Sequence, residues 1–102
     1  MNFSSHETMN RLTKAAITGR DKATPKLSGF RVGAAILGED DIIYVGANHE
    51  TTCGALIHAE QGAVAAALNA GVRTIKAAAV VADSGHHSTM RRLPSMAVRI
   101  YA

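Results

Sequence analysis

The feature that most constrains the fold is an almost wholly apolar segment, Ile75 to Ala82, in which Lys76 is the only polar residue. A strand that is apolar at nearly every position, not just at alternate positions, is buried on both of its faces. We therefore predict that this segment is a central strand of a sheet, and that helices cover both sides of that sheet. This arrangement belongs to the α/β class.

The other elements are predicted from periodicity and from turn residues. Ser4 and Glu7 have the spacing of a capping box at the start of a helix. The polar segment Gly38 to Asp41 separates two apolar segments, which predicts a hairpin. The predicted elements are, in order, a helix over residues 5–19, strands Val32–Leu37 and Ile42–Ala47, a helix His58–Asn69 and the strand Ile75–Ala82. They predict a mixed sheet with helices on its faces. This sheet is expected to be truncated after the third strand.

Length and composition exclude several classes of protein. A chain of 102 residues with 47% hydrophobic and 19% charged residues is one globular domain. The single cysteine excludes an intramolecular disulfide and is typical of a reducing compartment. No segment has the character of a signal peptide or a membrane span, so we expect a soluble cytoplasmic protein. The net charge of +3 arises without a marked basic cluster, so nucleic-acid binding is not indicated.

The segment His58-Ala59-Glu60 carries the main chemical signal. A histidine two residues before a glutamate, at the start of an alanine-rich helix, offers a metal ligand and a proton-transfer carboxylate to one pocket. The pattern H-x-E is half of the signature of the zinc nucleobase deaminases, and P-C-x-x-C is the other half. Taken alone, His58 is more often bonded to a backbone group, and Glu60 is a first-turn carboxylate favoured by the helix dipole.

Three segments in order carry a family resemblance: Phe30 to Ala35, Asn48-His49-Glu50 and His58 to Gln61. With them, the chain from Ser28 to Ala82 resembles the cytidine deaminases that act on free nucleosides. The resemblance implies a three-layer α/β sandwich over residues 1–83. It also implies a homodimer or homotetramer with sites near the subunit interfaces, which suits the alanine-rich helix.

The resemblance implies that His58 is a zinc ligand and that Glu60 is the general acid and base. Zinc lowers the pKa of its bound water, and the resulting hydroxide attacks C4 of cytosine. Glu60 would take the proton from that water and deliver it to the ring nitrogen and to the leaving ammonia. Zn²⁺ is therefore the expected cofactor.

The resemblance also implies the contacts to the substrate, a pyrimidine nucleoside. Asn48 and Glu50 would hydrogen-bond the ribose hydroxyls, Phe30 would pack on the pyrimidine face, and the Ala59 backbone would contact the base edge. The alternative for Asn48 and Glu50 is an ordinary polar loop. The alternative for Phe30 is a core residue that precedes a strand.

The second half of the zinc signature is missing from residues 54–102. A zinc site needs at least three protein ligands, and the chain has no cysteine after Cys53. We interpret Cys53 as a small apolar filler and His86-His87 as solvated loop residues. The ligand set is therefore incomplete, and we expect a poor or inactive deaminase.

Residues 84–102 form an atypical tail where the missing motif is expected. One set of allowed codons for Thr89 to Met96 is ACC ATG CGC CGC CTG CCG TCA ATG. Read one nucleotide later, these codons give Pro-Cys-Ala-Ala-Cys-Arg-Gln. We hypothesise that the tail is the zinc segment read out of frame, and that a premature stop then ends the chain before the last strands.

The leading hypothesis is a cytidine deaminase-like protein that converts cytidine or deoxycytidine to the uracil nucleoside. The alternative is a non-catalytic, metal-free paralogue that retains nucleoside binding or oligomer assembly. A nucleic-acid-binding domain is a third alternative, but the chain lacks the aromatic residues for a stacking platform.

Overall fold

The computed structural model describes residues 6–83, together with the backbone of residues 96–99. The helices are α1 (His6–Arg20) and α2 (Ala59–Asn69). The strands are β1 (Thr24–Pro25), β2 (Val32–Gly38), β3 (Ile43–Ala47), β4 (His49–Glu50), β5 (Leu56–Ile57), β6 (Ile75–Ala82) and β7 (Met96–Arg99). Both helices and the three longest strands begin and end within one residue of the predicted positions.

Four of the strands form the main sheet, in the order β3-β2-β6-β7, and each neighbouring pair is antiparallel. Strand β6 lies between β2 and β7, which confirms that the apolar segment is central. Ala35 of β2 pairs with Val45 on one side and with Ala79 on the other.

Strand β7 corrects the expectation that the sheet stops after three strands. Its residue Ala97 pairs with Ala79, and Met96 pairs with Val80. Strand pairing is made by backbone groups, so a four-residue segment can pair even when its side chains do not alternate between apolar and polar. That is why the sequence pattern did not reveal it.

A small second sheet makes the strand pairing mixed. Strand β4 pairs in parallel with β1, with Thr24 opposite His49, and antiparallel with β5, with His49 opposite Ile57. Each of these strands has only two residues. Strand β4 therefore ties the chain after α1 to the chain before α2.

The two helices lie on opposite faces of the main sheet, as the three-layer prediction requires. Leu12 and Ala16 of α1 pack with side chains of β2 and β6 that lie at alternate positions, among them Leu37 and Ala79. Ala59 and Ala63 of α2 pack on the other face, against the intervening positions of β2. Alternate residues of one strand point to opposite faces, so each helix covers one set.

Two glycines let the helices approach the sheet closely. A Cβ atom built on Gly33 would collide with the Ala16 carbonyl oxygen of α1, and one on Gly46 would collide with the Ala59 carbonyl oxygen of α2. Backbone therefore lies against backbone at both positions, which is a known use of glycine in a strand. Within the described part of the chain, neither helix is long and apolar enough to span a membrane.

Candidate functional site

The start of α2 places the motif residues at one helix end. His58 is the N-cap residue, with extended backbone angles, and its N–H donates to Gln61 Oε1 at 2.9 Å. Ala59 is only 1% exposed and packs in the core cluster beneath the helix, whereas His58 and Glu60 on either side of it are exposed. The buried alanine therefore fixes the helix start and leaves the imidazole and the carboxylate at the surface.

Strand β4 brings the second motif beside this helix start. His49 and Glu50 lie opposite Ile57 and Leu56, and Ile57 directly precedes His58. The pairing therefore places residues 49 and 50 beside the two residues that directly precede the second motif, 58–60.

The Asn48 side chain is hydrogen-bonded to the segment that contains Phe30. It is 9% exposed, and its Oδ1 accepts from the Val32 N–H at 2.8 Å. Its Nδ2 donates to the Phe30 carbonyl oxygen at 2.8 Å. A primary amide has two donor hydrogens and two acceptor lone pairs, so these two bonds use one of each. The side chain thus fixes the backbone on both sides of residue 31.

Glu50 holds the preceding turn. Its Oε1 accepts from the backbone N–H groups of Leu27 at 2.7 Å and Ser28 at 2.8 Å. Its Oε2 accepts from the Ser28 hydroxyl at 2.7 Å. These bonds, with the Ser28 hydroxyl as the largest contribution, hold the pKa of Glu50 below its usual value because they stabilise the charged form.

Two contributors to this network, Ser28 and His49, were missed by sequence reasoning. His49 Nδ1 lies 2.8 Å from Thr24 Oγ1, so all three residues of the segment 48–50 hold the chain between Thr24 and Val32. Ser28 stands two residues before Phe30, a spacing at which a hydroxyl often bonds a backbone N–H. That spacing is the one local signal that could have identified Ser28.

The described residues do not form a zinc centre. Among them, no three His, Cys, Asp or Glu side chains are close enough to hold a metal ion, and structural and catalytic zinc sites use at least three protein ligands. His58 therefore has an incomplete ligand set here. Cys53 is exposed, so its interpretation as an apolar filler is wrong. Its hydrogen bond with the Thr51 hydroxyl lowers the pKa of its thiol. His86 and His87 lie outside the described residues.

Two grooves formed by the described residues lie beside α2. A groove of about 360 Å³ beside α2 is lined by Lys22, His49, Ile57 and neighbouring small residues. A second groove of about 380 Å³ runs along the outer face of α2 and contains Glu60. Phe30, Asn48 and Glu50 line neither of these two grooves. These two grooves therefore contain only some of the predicted site residues.

The sequence of this chain is similar to those of known proteins. The sequence model of the family described as "Cytidine and deoxycytidylate deaminase zinc-binding region" matches residues 6–90. The cytidine deaminase of Sporosarcina psychrophila is 46% identical over 66 residues, which are 64% of this chain and 48% of that protein. The cytidine deaminase of Halalkalibacterium halodurans is 42% identical over 74 residues, which are 72% of this chain and 56% of that protein.

The fold is similar to solved structures as well. The crystal structure of cytidine deaminase from Burkholderia pseudomallei matches with a TM-score of 0.70 and 35% identity, and the match covers 78% of this chain and 63% of that one. The chain spans about half the length of the curated relatives that it matches.

Proposed function

Because this chain belongs to the family of cytidine and deoxycytidylate deaminases, we propose that it binds a pyrimidine nucleoside, cytidine or deoxycytidine, beside the start of α2. The observation that carries the proposal is the set of bonds from Asn48 and Glu50 to the Phe30 segment. They hold an aromatic ring, an amide and a carboxylate on one small region, next to the strand that leads into His58.

The proposed contacts follow from the hydrogen-bonding capacity that remains. Glu50 uses three of its roughly four acceptor positions within the chain, and Asn48 keeps one donor and one acceptor. We assign these to the ribose hydroxyls, the half-buried Phe30 ring to the pyrimidine face, and the Ala59 backbone to the base edge. The half-buried aromatic ring contributes apolar contact area.

The proposal for catalysis depends on which zinc ligands the chain supplies. In the family reaction, zinc supplies an activated water for hydrolytic deamination, with His58 as ligand and Glu60 as the proton-transfer group by resemblance. The described residues do not complete a set of three ligands that includes His58. We therefore expect this chain to bind the nucleoside with little or no conversion to uridine or deoxyuridine, as a metal-free member of the family.

The test combines three measurements on the whole chain. Cytidine binding is measured by calorimetry, uridine formation by chromatography, and zinc content by mass spectrometry. We expect binding with little bound zinc, and a Glu60→Gln variant that binds cytidine as the wild type does. Failure of cytidine and deoxycytidine to bind contradicts the proposal, while stoichiometric zinc with rapid turnover contradicts only its metal-free part.

We also propose that residues 84–102 are the family's second zinc segment translated out of frame. The support is the codon set described above, in which a shift of one nucleotide converts Thr89 to Met96 into a segment with two cysteines. The DNA sequence over these codons tests it directly. If the shifted frame does not encode two cysteines three residues apart, the hypothesis is wrong.

Assembly is the remaining proposal. Leu68 of α2 is 50% exposed and lines the outer groove with Val64 and Ala65, so this helix face suits a contact between copies in a homodimer or homotetramer. Light scattering during size-exclusion chromatography measures the mass. A monomer at all concentrations contradicts this proposal.

A further inference from the structure

Ser28 lies at the junction of the bonds that hold Phe30 and Glu50. Its hydroxyl donates to Glu50 Oε2 at 2.7 Å and accepts from the Phe30 N–H at 3.2 Å. Its backbone N–H donates to Glu50 Oε1 at 2.8 Å. One hydroxyl therefore connects a carboxylate proposed to contact the ribose with the backbone of the ring proposed to contact the base.

We propose that Ser28 is a positioning residue for the nucleoside, because its hydroxyl sets the Glu50 carboxylate and the Phe30 backbone in one fixed arrangement. This inference rests on the proposed function. A hydroxyl donates one hydrogen bond while it accepts others, which is what a link between a carboxylate and an N–H requires. Contacts that are already arranged before binding reduce the ordering cost that the ligand must offset.

The surrounding turn explains why the hydroxyl matters. Gly29 has a φ of +71° and its N–H donates to the Pro25 carbonyl oxygen at 2.9 Å. The chain therefore reverses direction between Pro25 and Phe30, and Ser28 lies within this turn. Ser28 is exposed, so the extra methyl group of threonine has space there. Threonine keeps the hydroxyl, whereas alanine removes it.

The experiment compares wild type, Ser28→Ala and Ser28→Thr in two measurements. The first is cytidine affinity by calorimetry. The second is the titration of the Glu50 carboxyl in the ligand-free protein, followed by NMR. Thr52→Ala is the matched control, because Thr52 is also an exposed loop residue with a hydroxyl and lies outside this network. Thermal unfolding of each variant establishes that it is folded.

We expect Ser28→Ala to weaken cytidine binding about tenfold, in keeping with the loss of a hydrogen bond to a charged group. The same change should raise the pKa of Glu50 toward its ordinary value. Ser28→Thr should restore both quantities to near wild type, and Thr52→Ala should change neither. A variant that lost affinity only through general loosening of the fold would not show the threonine rescue.

The outcomes separate this inference from the proposed function. If the wild type binds cytidine and Ser28→Ala binds it equally well, the positioning role is wrong and the proposed function stands. If Ser28→Thr behaves like Ser28→Ala in both measurements, the positioning role is again wrong. If the wild type binds no pyrimidine nucleoside, the proposed function is wrong and the role of Ser28 falls with it. An unchanged Glu50 titration in Ser28→Ala shows that the link itself is absent.

Discussion

Asn48 illustrates how a side chain proposed for the site also stabilises the fold. It satisfies the Val32 N–H and the Phe30 carbonyl oxygen from a position that is 9% exposed. A buried backbone group that loses its partner costs about 1–3 kcal/mol. The residue at the centre of the proposed ribose contacts is therefore also a stabilising residue, and its substitution affects both properties.

We predict that Asn48→Ala lowers the free energy of unfolding by about 2–4 kcal/mol, because two backbone groups lose their partners. Urea denaturation followed by circular dichroism measures the change. Asn10→Ala on the exposed face of α1 is the matched control and should alter stability by less than about 0.5 kcal/mol. Equal stability of Asn48→Ala and wild type would show that these two hydrogen bonds do not stabilise the fold.

The lowered pKa of Glu50 predicts that the stability of the protein depends on pH. Its pKa is lower in the folded chain than its ordinary value, because the Ser28 hydroxyl and two backbone N–H groups stabilise the carboxylate. The stabilisation is therefore fully present above the unfolded-state pKa, and it is lost as the pH falls through the lower folded-state pKa.

The comparison is between wild type and Glu50→Gln, with urea denaturation at several pH values between about 3 and 7. The difference in stability between the two proteins should be largest at neutral pH and should shrink on acidification. A difference that is constant across this range would rule out the contribution of Glu50 ionisation.

At the scale of elements, the parts that sequence reasoning predicted are those with a local pattern. Strand β6 was predicted because an apolar run needs burial on two faces, and α2 because its alanines follow the Glu60 motif. The two-residue strands β1, β4 and β5 carry no periodicity, and they exist only because distant segments pair. The hydrogen bonds of Asn48 and Glu50 to the segment around Phe30 depend on those pairings, so they could not be predicted from the sequence.

The packing of α2 on β3 gives a prediction with an internal control. A Cβ atom on Gly46 would collide with the Ala59 carbonyl oxygen, whereas one on Gly62 of α2 would lie 3.5 Å from the Gly46 Cα, an ordinary contact. We expect Gly46→Ala to destabilise the protein by about 1–3 kcal/mol through overpacking.

Gly62→Ala should be neutral or should stabilise the protein by up to about 1 kcal/mol, since alanine is the better helix former. Both variants add one methyl group at the same helix–strand contact, so urea denaturation of the pair isolates the effect of backbone approach. If Gly46→Ala proves as stable as Gly62→Ala, the two elements are farther apart than the structure shows.

At the scale of the whole molecule, a charged cluster joins the end of α1, the start of β2 and the end of β6. Arg20 is 3% exposed, and its Nε lies 3.8 Å from Asp83 Oδ1. Arg20 Nε and Nη1 have no hydrogen-bond partner among the described residues. Arg31 donates from Nε to Asp83 Oδ2 at 3.0 Å and from Nη2 to Oδ1 at 3.3 Å. One carboxylate therefore faces two guanidinium groups.

Burial raises the pKa of Asp83, but the bonds from Arg31 outweigh it and hold the pKa below its usual value. Asp83 is therefore charged at neutral pH and compensates the buried Arg20. Breaking a buried ion pair by removing one partner leaves an uncompensated charge, which costs about 3–5 kcal/mol when the burial is complete. The cost here should be smaller, because the Asp83 side chain is 18% exposed and Asp21 Oδ1 remains 3.9 Å from Arg20 Nη2.

We predict that Asp83→Asn lowers the free energy of unfolding by about 2–4 kcal/mol, measured by urea denaturation at neutral pH. Asp41→Asn is the matched control: Asp41 pairs with Lys76 at 3.0 Å, and both groups are partly exposed. Such a pair contributes about 0–1 kcal/mol, and asparagine tolerates the positive φ of 64° at that position. If the two substitutions had equal effects, Asp83 would be an ordinary surface carboxylate. The three elements would then be held together by apolar packing alone.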